Sequence, residues 1–501
     1  MTTVNNFDSL AFFAPELLLG AGALLILIVD LVQRGSSRRT AGWIALLALA
    51  GAGAALFATA DGAERGLFGG LVARDPFSDF WKYLFLAVTA VVGVVSLRSR
   101  ETIDYTDGDQ DAAEFYALAL TVCLGMFLMA SATDLLMAYL GIEIVSILSF
   151  VLAGYKRRDR RSSEAALKYA IYGGVASGVM LYGLSLLYGM AGSTSLAAIR
   201  AAAVVNASPT TLILAVTLAM AGFGYKIASV PFHMWCPDVY EGAPTPITAF
   251  LSVGPKAAGF ALLMRFFAGA VPAELPASAG SMFGSNPWPV FLGAIAVATM
   301  TLGNLVAIVQ QNVKRMLAYS SIAHAGYVLL GLAVATPDAQ QAMMFYLVTY
   351  LFMNLGAFGV VIALAEKGLG ETVADYQGLG FRAPMVGLAM AVFLFSLTGL
   401  PPTAGFAGKF LLFAALLSKG GTLFYTLALI GVKNSAISLY YYARILKAMY
   451  FDKPAEGAGM VAIDRQHGVL LGVMAVPVVV LGLFWSPLAT WAEQSFRMWG
   501  H

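Results

Sequence analysis

Roughly fourteen stretches of about 20 mostly apolar residues follow one another along this chain, each long enough to cross a bilayer as a helix. They run at 13–33, 41–60, 79–97, 114–132, 134–154, 164–189, 210–230, 244–268, 289–309, 315–335, 341–366, 385–418 with an interruption, 422–448 and 468–488. So little chain is left between them that the sequence predicts an all-α polytopic membrane protein and excludes a soluble enzyme. Of the 501 residues 59% are hydrophobic and only 12% charged, where a soluble domain has about a quarter charged. A net charge of +2 is too small for sequence-independent nucleic-acid binding. Cys123 lies in an apolar run and Cys236 in Trp-Cys-Pro, so no disulfide framework, Cys-x-x-Cys motif or iron–sulfur ligand set is present. No cofactor or metal is expected on the chain. The first stretch opens with Pro15 and Glu16 instead of a basic segment and reads as a retained helix.

Basic residues are distributed unevenly between the connections. Eighteen fall in odd-numbered ones, including Arg34, Arg38, Arg98, Arg100 and the Lys156–Arg161 run. Seven fall in even-numbered ones and the C-terminal tail: Arg65, Arg74, Lys82, Arg200, Arg265, Lys419 and Arg497. The positive-inside rule makes the odd connections cytoplasmic and puts both termini on the opposite, periplasmic face. The remaining five of the thirty basic residues lie inside apolar stretches: Lys168, Lys226, Lys256, Lys409 and Lys433.

A charge at mid-bilayer costs at least about 2.5–3.5 kcal/mol, so such a residue sits near an end, has a partner, or lines a wet cavity. Lys168 is about one turn inside its stretch and either snorkels to the headgroups or has a further role. Lys433, in Gly-Val-Lys-Asn-Ser, is half-way along its stretch with no obvious partner. Lys226, Lys256 and Lys409 each stand beside helix breakers, respectively Pro231, Pro255 and the Pro401-Pro402 pair. Unwound backbone survives in a membrane only against protein or water, and discontinuous helices mark ion sites in transporters. Three lysines at such breaks point to a hydrated path.

Glu143 is the only carboxylate inside the fifth stretch. Beside a lysine it would stay ionised and hold that lysine charged; drawn away, it would let a desolvated ammonium give up its proton. The alternative is a static buried ion pair. Of four histidines, His324 is inside the tenth stretch with Ser320 and Ser321 one turn before it, which suits a relay or a hydrogen-bonded core position. His233 follows Pro231 and precedes Asp238 and Glu241, at a channel mouth or in a turn. His467 and His501 fall in a loop and at the terminus. Ala138-Tyr139 with Ile142 and Glu143 is echoed by Ala318-Tyr319 with Ile322 and His324, and a Pro-interrupted lysine segment follows each. The expected organisation is a three-helix segment at 1–113, two five-helix repeats at 114–270 and 289–450, and a final helix with a tail at 451–501. Repeats of five spans must be inverted.

Pro-Phe-His-x-Trp-x-Pro-Asp-Val-Tyr-Glu-Gly-Ala-Pro-Thr-Pro at 231–246, Ala-Tyr-Leu-Gly-Ile-Glu at 138–143, Lys-Arg-Met-Leu-Ala-Tyr-Ser-Ser-Ile-Ala-His-Ala-Gly-Tyr at 314–327 and Leu-Pro-Pro-Thr-Ala-Gly-Phe-Ala-Gly-Lys-Phe at 400–410 together carry a resemblance. Over nearly its whole length the chain is similar to the N subunits of bacterial respiratory complex I, the proton-pumping NADH-quinone oxidoreductase. The resemblance implies an antiporter-like, non-redox subunit of the inner-membrane arm, surrounded by antiporter-like and small subunits and not functional as a monomer. It places FMN, iron–sulfur clusters and quinone on other subunits. It puts the family's proton-transfer residues on Glu143, Lys226, Lys256, His324 and Lys409. Lys433 stands where the family has an apolar residue, which leaves open an extra relay step or contact with a neighbouring subunit. The competing readings are a subunit of a multi-subunit cation/proton antiporter, against which Tyr240-Glu241-Gly242-Ala243-Pro244 argues, and a quinone-binding redox subunit, for which no ligand set is present.

Overall fold

The computed structural model describes residues 2–33, 38–97, 99, 112–205, 208–275, 286–454 and 458–496. Of the basic residues and histidines discussed above, Arg34, Arg98, Arg100, Arg497 and His501 lie outside the described residues, as does the side chain of Arg38.

A short α1 (Asn6–Phe12) leads into α2 (Ala14–Gln33), α3 (Arg38–Ala58), α4 (Pro76–Ser96) and α5 (Ala112–Ser131). Then follow α6 (Leu135–Ala153), α7 (Arg160–Ala191), α8 (Leu196–Val205), α9 (Pro209–Ile227), α10 (Trp235–Gly242) and α11 (Thr245–Ala270). The second half comprises α12 (Trp288–Val309), α13 (Val313–Val334), α14 (Pro337–Ala365), α15 (Leu379–Arg382), α16 (Pro384–Thr398), α17 (Ala404–Lys419), α18 (Thr422–Tyr450), α19 (Arg465–Leu483) and α20 (Ser486–Ser495). Among the described residues thirteen helices are long and apolar enough to cross a membrane. The interrupted pair α16/α17 makes up the fourteenth expected crossing. Polar side chains and proline set the starts: Asp134 accepts from the Leu136 amide, Asn312 from Arg315, and Asp75 with Ser78 forms a capping box before Pro76.

Burial separates the helices into a centre and a rim. The apolar windows of α11, α13 and α14 are almost wholly enclosed, whereas α2, α3, α18 and α19 keep most of theirs open to the outside. Glycine permits the tightest contacts: a Cβ at Gly303 would stand 2.7 Å from the Ala323 nitrogen, and one at Gly326 2.6 Å from that of Met300. Helices α12 and α13 thus meet backbone to backbone.

Several sequence expectations are corrected. A three-stranded sheet of β1 (Thr2–Thr3), β2 (Arg65–Leu67) and β3 (Val72–Arg74) caps the α3–α4 connection; strands of two or three residues leave no periodicity to read. Lys82 and Arg265 do not lie in loops but are buried inside α4 and α11. Lys82 pairs with Glu16 at 2.7 Å and Arg265 grips Asp75 with two bonds of 2.8 and 2.9 Å, which clamp the N-terminal helices to the rest. Arg74 is likewise buried, in β3, and its Nε lies 2.6 Å from Asp79. His467 is not in a loop either: it is buried in α19, 3.5 Å from Glu366.

Pro255 does not break its helix, since α11 runs through it from Thr245 to Ala270. Proline removes one amide and one hydrogen bond, and a helix enclosed on all sides by neighbours absorbs that loss. Pro231 and the Pro401–Pro402 pair do mark real interruptions, between α9 and α10 and between α16 and α17.

Candidate functional site

Helix α9 stops at Ile227 because Ala228 turns left-handed, at φ 57°, and its amide bonds back to the end of the helix. Lys226 is therefore in the last turn of a half-helix, at the end where carbonyl oxygens gather and a cation is favoured. It is 1% exposed, and its ammonium donates to the Ser146 hydroxyl on α6 at 2.8 Å. Glu143 is one turn earlier on α6, half-buried, and accepts from Ser177 on α7. The direct Glu143–Lys226 ion pair expected from the sequence is not formed. Ser146, three residues on from Glu143, occupies the position between them, while Ser177 holds the carboxylate from the other side.

Across from α9, Lys226 packs on Gly259 of α11, where a Cβ would come within 3.1 Å of its Cγ. Lys256 is three residues, close to one turn, earlier on the same helix. Its ammonium bonds the Ser321 hydroxyl of α13, lies 3.9 Å from the Cys236 sulfur and sits over the Tyr240 ring at 5.4 Å. Ser321 is three residues before His324, so one α13 face carries both. The imidazole Nδ1 is 2.5 Å from the Tyr346 hydroxyl on α14 and Nε2 is 3.3 Å from the Tyr442 hydroxyl on α18, which also bonds Ser320. Whichever nitrogen bears the proton in the neutral ring, one side donates and the other accepts.

The second break begins at Gly399, whose φ of 89° few residues other than glycine adopt. Past it and the proline pair, Lys409 in α17 folds back onto the end of α16. Its ammonium donates to the carbonyls of Leu397 at 3.0 Å and Thr398 at 2.8 Å and to the Ser435 hydroxyl at 2.9 Å, and it lies over the Tyr327 ring at 4.6 Å. No carboxylate of the described residues pairs with it.

The secondary residues stand apart from this array. Lys168 is held by Glu164 and Asp238, both at 2.7 Å. Asp238 is shared with Arg315 at 2.6 Å, and Arg315 reaches Glu241 at 3.0 Å. Burial acts to raise the Asp238 carboxyl, but hydrogen bonds from Lys168 and Arg315 and their charges hold it below the usual carboxylate range. His233 lies buried in the turn between α9 and α10. Lys433 points outward from α18. Sequence reasoning missed Ser146, Ser177, Ser321 and Ser435 as the direct partners of the charged groups, and Tyr346 and Tyr442 as those of His324. Only Ser321 had a visible signal, its spacing from His324. Among the described residues one cluster has metal-ligand spacing, Glu366, Asp464 and His467, with ligand atoms within 4.8 Å of one another; it is separate from the array, and Asp464 pairs with Lys367 at 3.2 Å.

The transmembrane-domain profile of the NADH:quinone oxidoreductase/Mrp antiporter family matches residues 132–438, which contain the whole array. NADH-quinone oxidoreductase subunit N of Anaeromyxobacter sp. (strain Fw109-5) is 48% identical over 98% of each chain, and subunit N 2 of Sorangium cellulosum (strain So ce56) 50% identical over 99% of each. The chain belongs to the NADH-quinone oxidoreductase subunit N family. A chain of the solved respiratory complex I from Thermus thermophilus superposes with a TM-score of 0.78 at 31% identity, covering 95% of this chain and 98% of its own. One from the Mrp complex of Dietzia sp. DQ12-45-1b reaches 0.80 at 20% identity, covering 96% of each, and shares the fold. As a subunit N, the protein is a multi-pass membrane component of multi-subunit bacterial complex I and serves proton translocation in its membrane arm.

Proposed function

We propose that Glu143, Lys226, Lys256, His324 and Lys409 form the proton route, with two inverted repeats, 114–270 and 289–450, each contributing one broken helix. In this reading Lys226 loads from the cytoplasmic side while Glu143 is near. As the carboxylate is drawn away Lys226 passes its proton by way of Lys256 and His324 to Lys409, which releases it on the periplasmic side, where both termini lie. The arrangement described above corresponds to the separated state, with Ser146 holding the ammonium one turn from the carboxylate. The buried Tyr240 ring lies beside Lys256 and that of Tyr350 beside His324, polar-tipped side chains that suit a water-assisted path.

The observation that supports the route best is that both broken-helix lysines sit at the carbonyl end of a half-helix while Lys256 bonds Ser321, one turn before His324 on the same face of α13. Pumping one charge against 100 mV requires roughly 2.3 kcal/mol. Breaking a buried ion pair costs about 3–5 kcal/mol, enough to drive the step. Quinone reduction, with its FMN and iron–sulfur clusters, belongs to other subunits, and antiporter-like and small membrane subunits are the neighbours.

The test is Lys226→Met, Glu143→Gln and Lys409→Met in assembled complex in sealed vesicles, read as proton uptake per quinone reduced. Each should lower uptake at least tenfold with the complex intact. Normal uptake in both the Lys226 and Glu143 variants would end this reading.

A further inference from the structure

Of the five lysines inside the apolar stretches Lys433 is the exposed one, and the route does not use it. It makes no hydrogen bond or ion pair with any described residue. It is eleven residues past the start of α18 and seventeen before its end, on the order of 16 Å from the nearer end, beyond the reach of a lysine side chain. The stripe around it, Tyr425, Leu429, Val432, Ala436 and Tyr440, recurs at helical spacing and is exposed. Apart from Lys433 that stripe suits a hydrocarbon surface, and an ammonium at its centre does not.

The missing counter-charge is not supplied from within. Helices α12, α13, α15, α16 and α17 all pack on α18, and neither they nor α18 contains an acidic residue. Among the described elements that pack closely on α18, the turn Val373–Tyr376 brings an acid, Asp375, which bonds Thr372. Lipid phosphates lie at the bilayer surface and not at this depth. Beside the stripe lies a crevice of about 580 Å³ between α17 and α18, lined by Phe406, Lys409, Phe410 and Val432.

We propose that the outer face of α18 docks a transmembrane helix of a neighbouring subunit of the complex, and that this helix presents a carboxylate to Lys433 at mid-membrane depth. The inference rests on membership of the complex, not on the proton route, so either can fail alone.

The test places a benzophenone amino acid at Leu429 or Tyr440, leaving Lys433 intact, in assembled complex in native membranes. Irradiation should give an adduct with one membrane subunit, on a helix carrying Asp or Glu at the matching depth. Adducts with lipid alone, with a second copy of this chain, or with a helix lacking an acid would overturn the proposal. Independently, Lys433→Glu should cut recovery of intact complex at least tenfold while the chain's amount in the membrane stays within twofold, and Lys433→Arg should recover it. Changing the cross-linked acid to Lys should rescue Lys433→Glu. Intact complex at normal recovery with Lys433→Glu alone would also overturn it.

Discussion

At the first break Lys226 belongs to the half-helix that ends, α9, whereas at the second Lys409 belongs to the half-helix that begins, α17, and reaches back. Both ammonium groups nevertheless arrive at the carbonyl end of a half-helix, the pole that favours a cation. What differs is the rest of the shell. Lys226 has a single hydroxyl, Ser146, with Glu143 one turn beyond it; Lys409 has two backbone carbonyls and a hydroxyl, and no acid. A lysine held by one rotatable hydroxyl beside a carboxylate is suited to exchange partners. One fixed by backbone is suited to stay in place while its proton comes and goes.

The sharpest way to break that contrast is at the glycines under the two side chains. Gly399→Ala places a Cβ 2.9 Å from the Lys409 Cδ at a positive φ, whereas Gly259→Ala meets the Ile227 Cγ2 at 2.9 Å and the Lys226 Cγ at 3.1 Å from ordinary helix, so that the positive φ is what sets the two apart. Overpacking of about 1–3 kcal/mol applies to both, and backbone strain to the first alone. Pumping should fall about tenfold for Gly399→Ala and clearly less for Gly259→Ala, measured as proton uptake per quinone reduced. Equal losses would mean that the backbone cradle around Lys409 does not matter.

The hydroxyls sharpen it further. Ser146→Ala removes the only hydrogen bond that the described residues give the Lys226 ammonium and should slow pumping several-fold. Ser435→Ala leaves Lys409 its two carbonyls and should stay within about twofold. The reverse order would contradict the two roles assigned above.

The smallest effect concerns the charged cluster below the first break. Asp238 is held below its ordinary value of 3.8, so its contribution to stability is present above that value and is lost as pH falls through the lower folded one. Asp238→Asn should therefore lower the heat stability of the purified complex near neutral pH, by under about 1 kcal/mol for partly exposed pairs. The difference from the unaltered complex should shrink as the pH is taken below about 4.

Length and hydropathy made the fourteen crossings legible, because a bilayer demands about 20 apolar residues per span whatever the surroundings. Five ionisable residues in those spans were legible as a set for the same reason: charge in hydrocarbon must have a use. The breaks at Pro231 and Pro401–Pro402 were readable as well, but the continuity of α11 through Pro255 was not, since whether a proline ends a helix depends on neighbours that sequence does not show. Lys82 and Arg265, each within a turn of the end of its stretch, were counted with the connections, since their acids, Glu16 and Asp75, are remote in the chain and leave no local sign of a buried pair.

Sequence alone therefore determined that Glu143, His324 and five lysines lie inside the spans and that the backbone yields at Pro231 and at Pro401–Pro402. Only the tertiary structure decided what each charge meets: Ser146 instead of Glu143 for Lys226, carbonyls of α16 for Lys409, and open surface for Lys433. The physical reason is range. Hydropathy acts through the local solvent and is written residue by residue, whereas a hydrogen bond forms only within about 3 Å, a distance set by how separate helices pack.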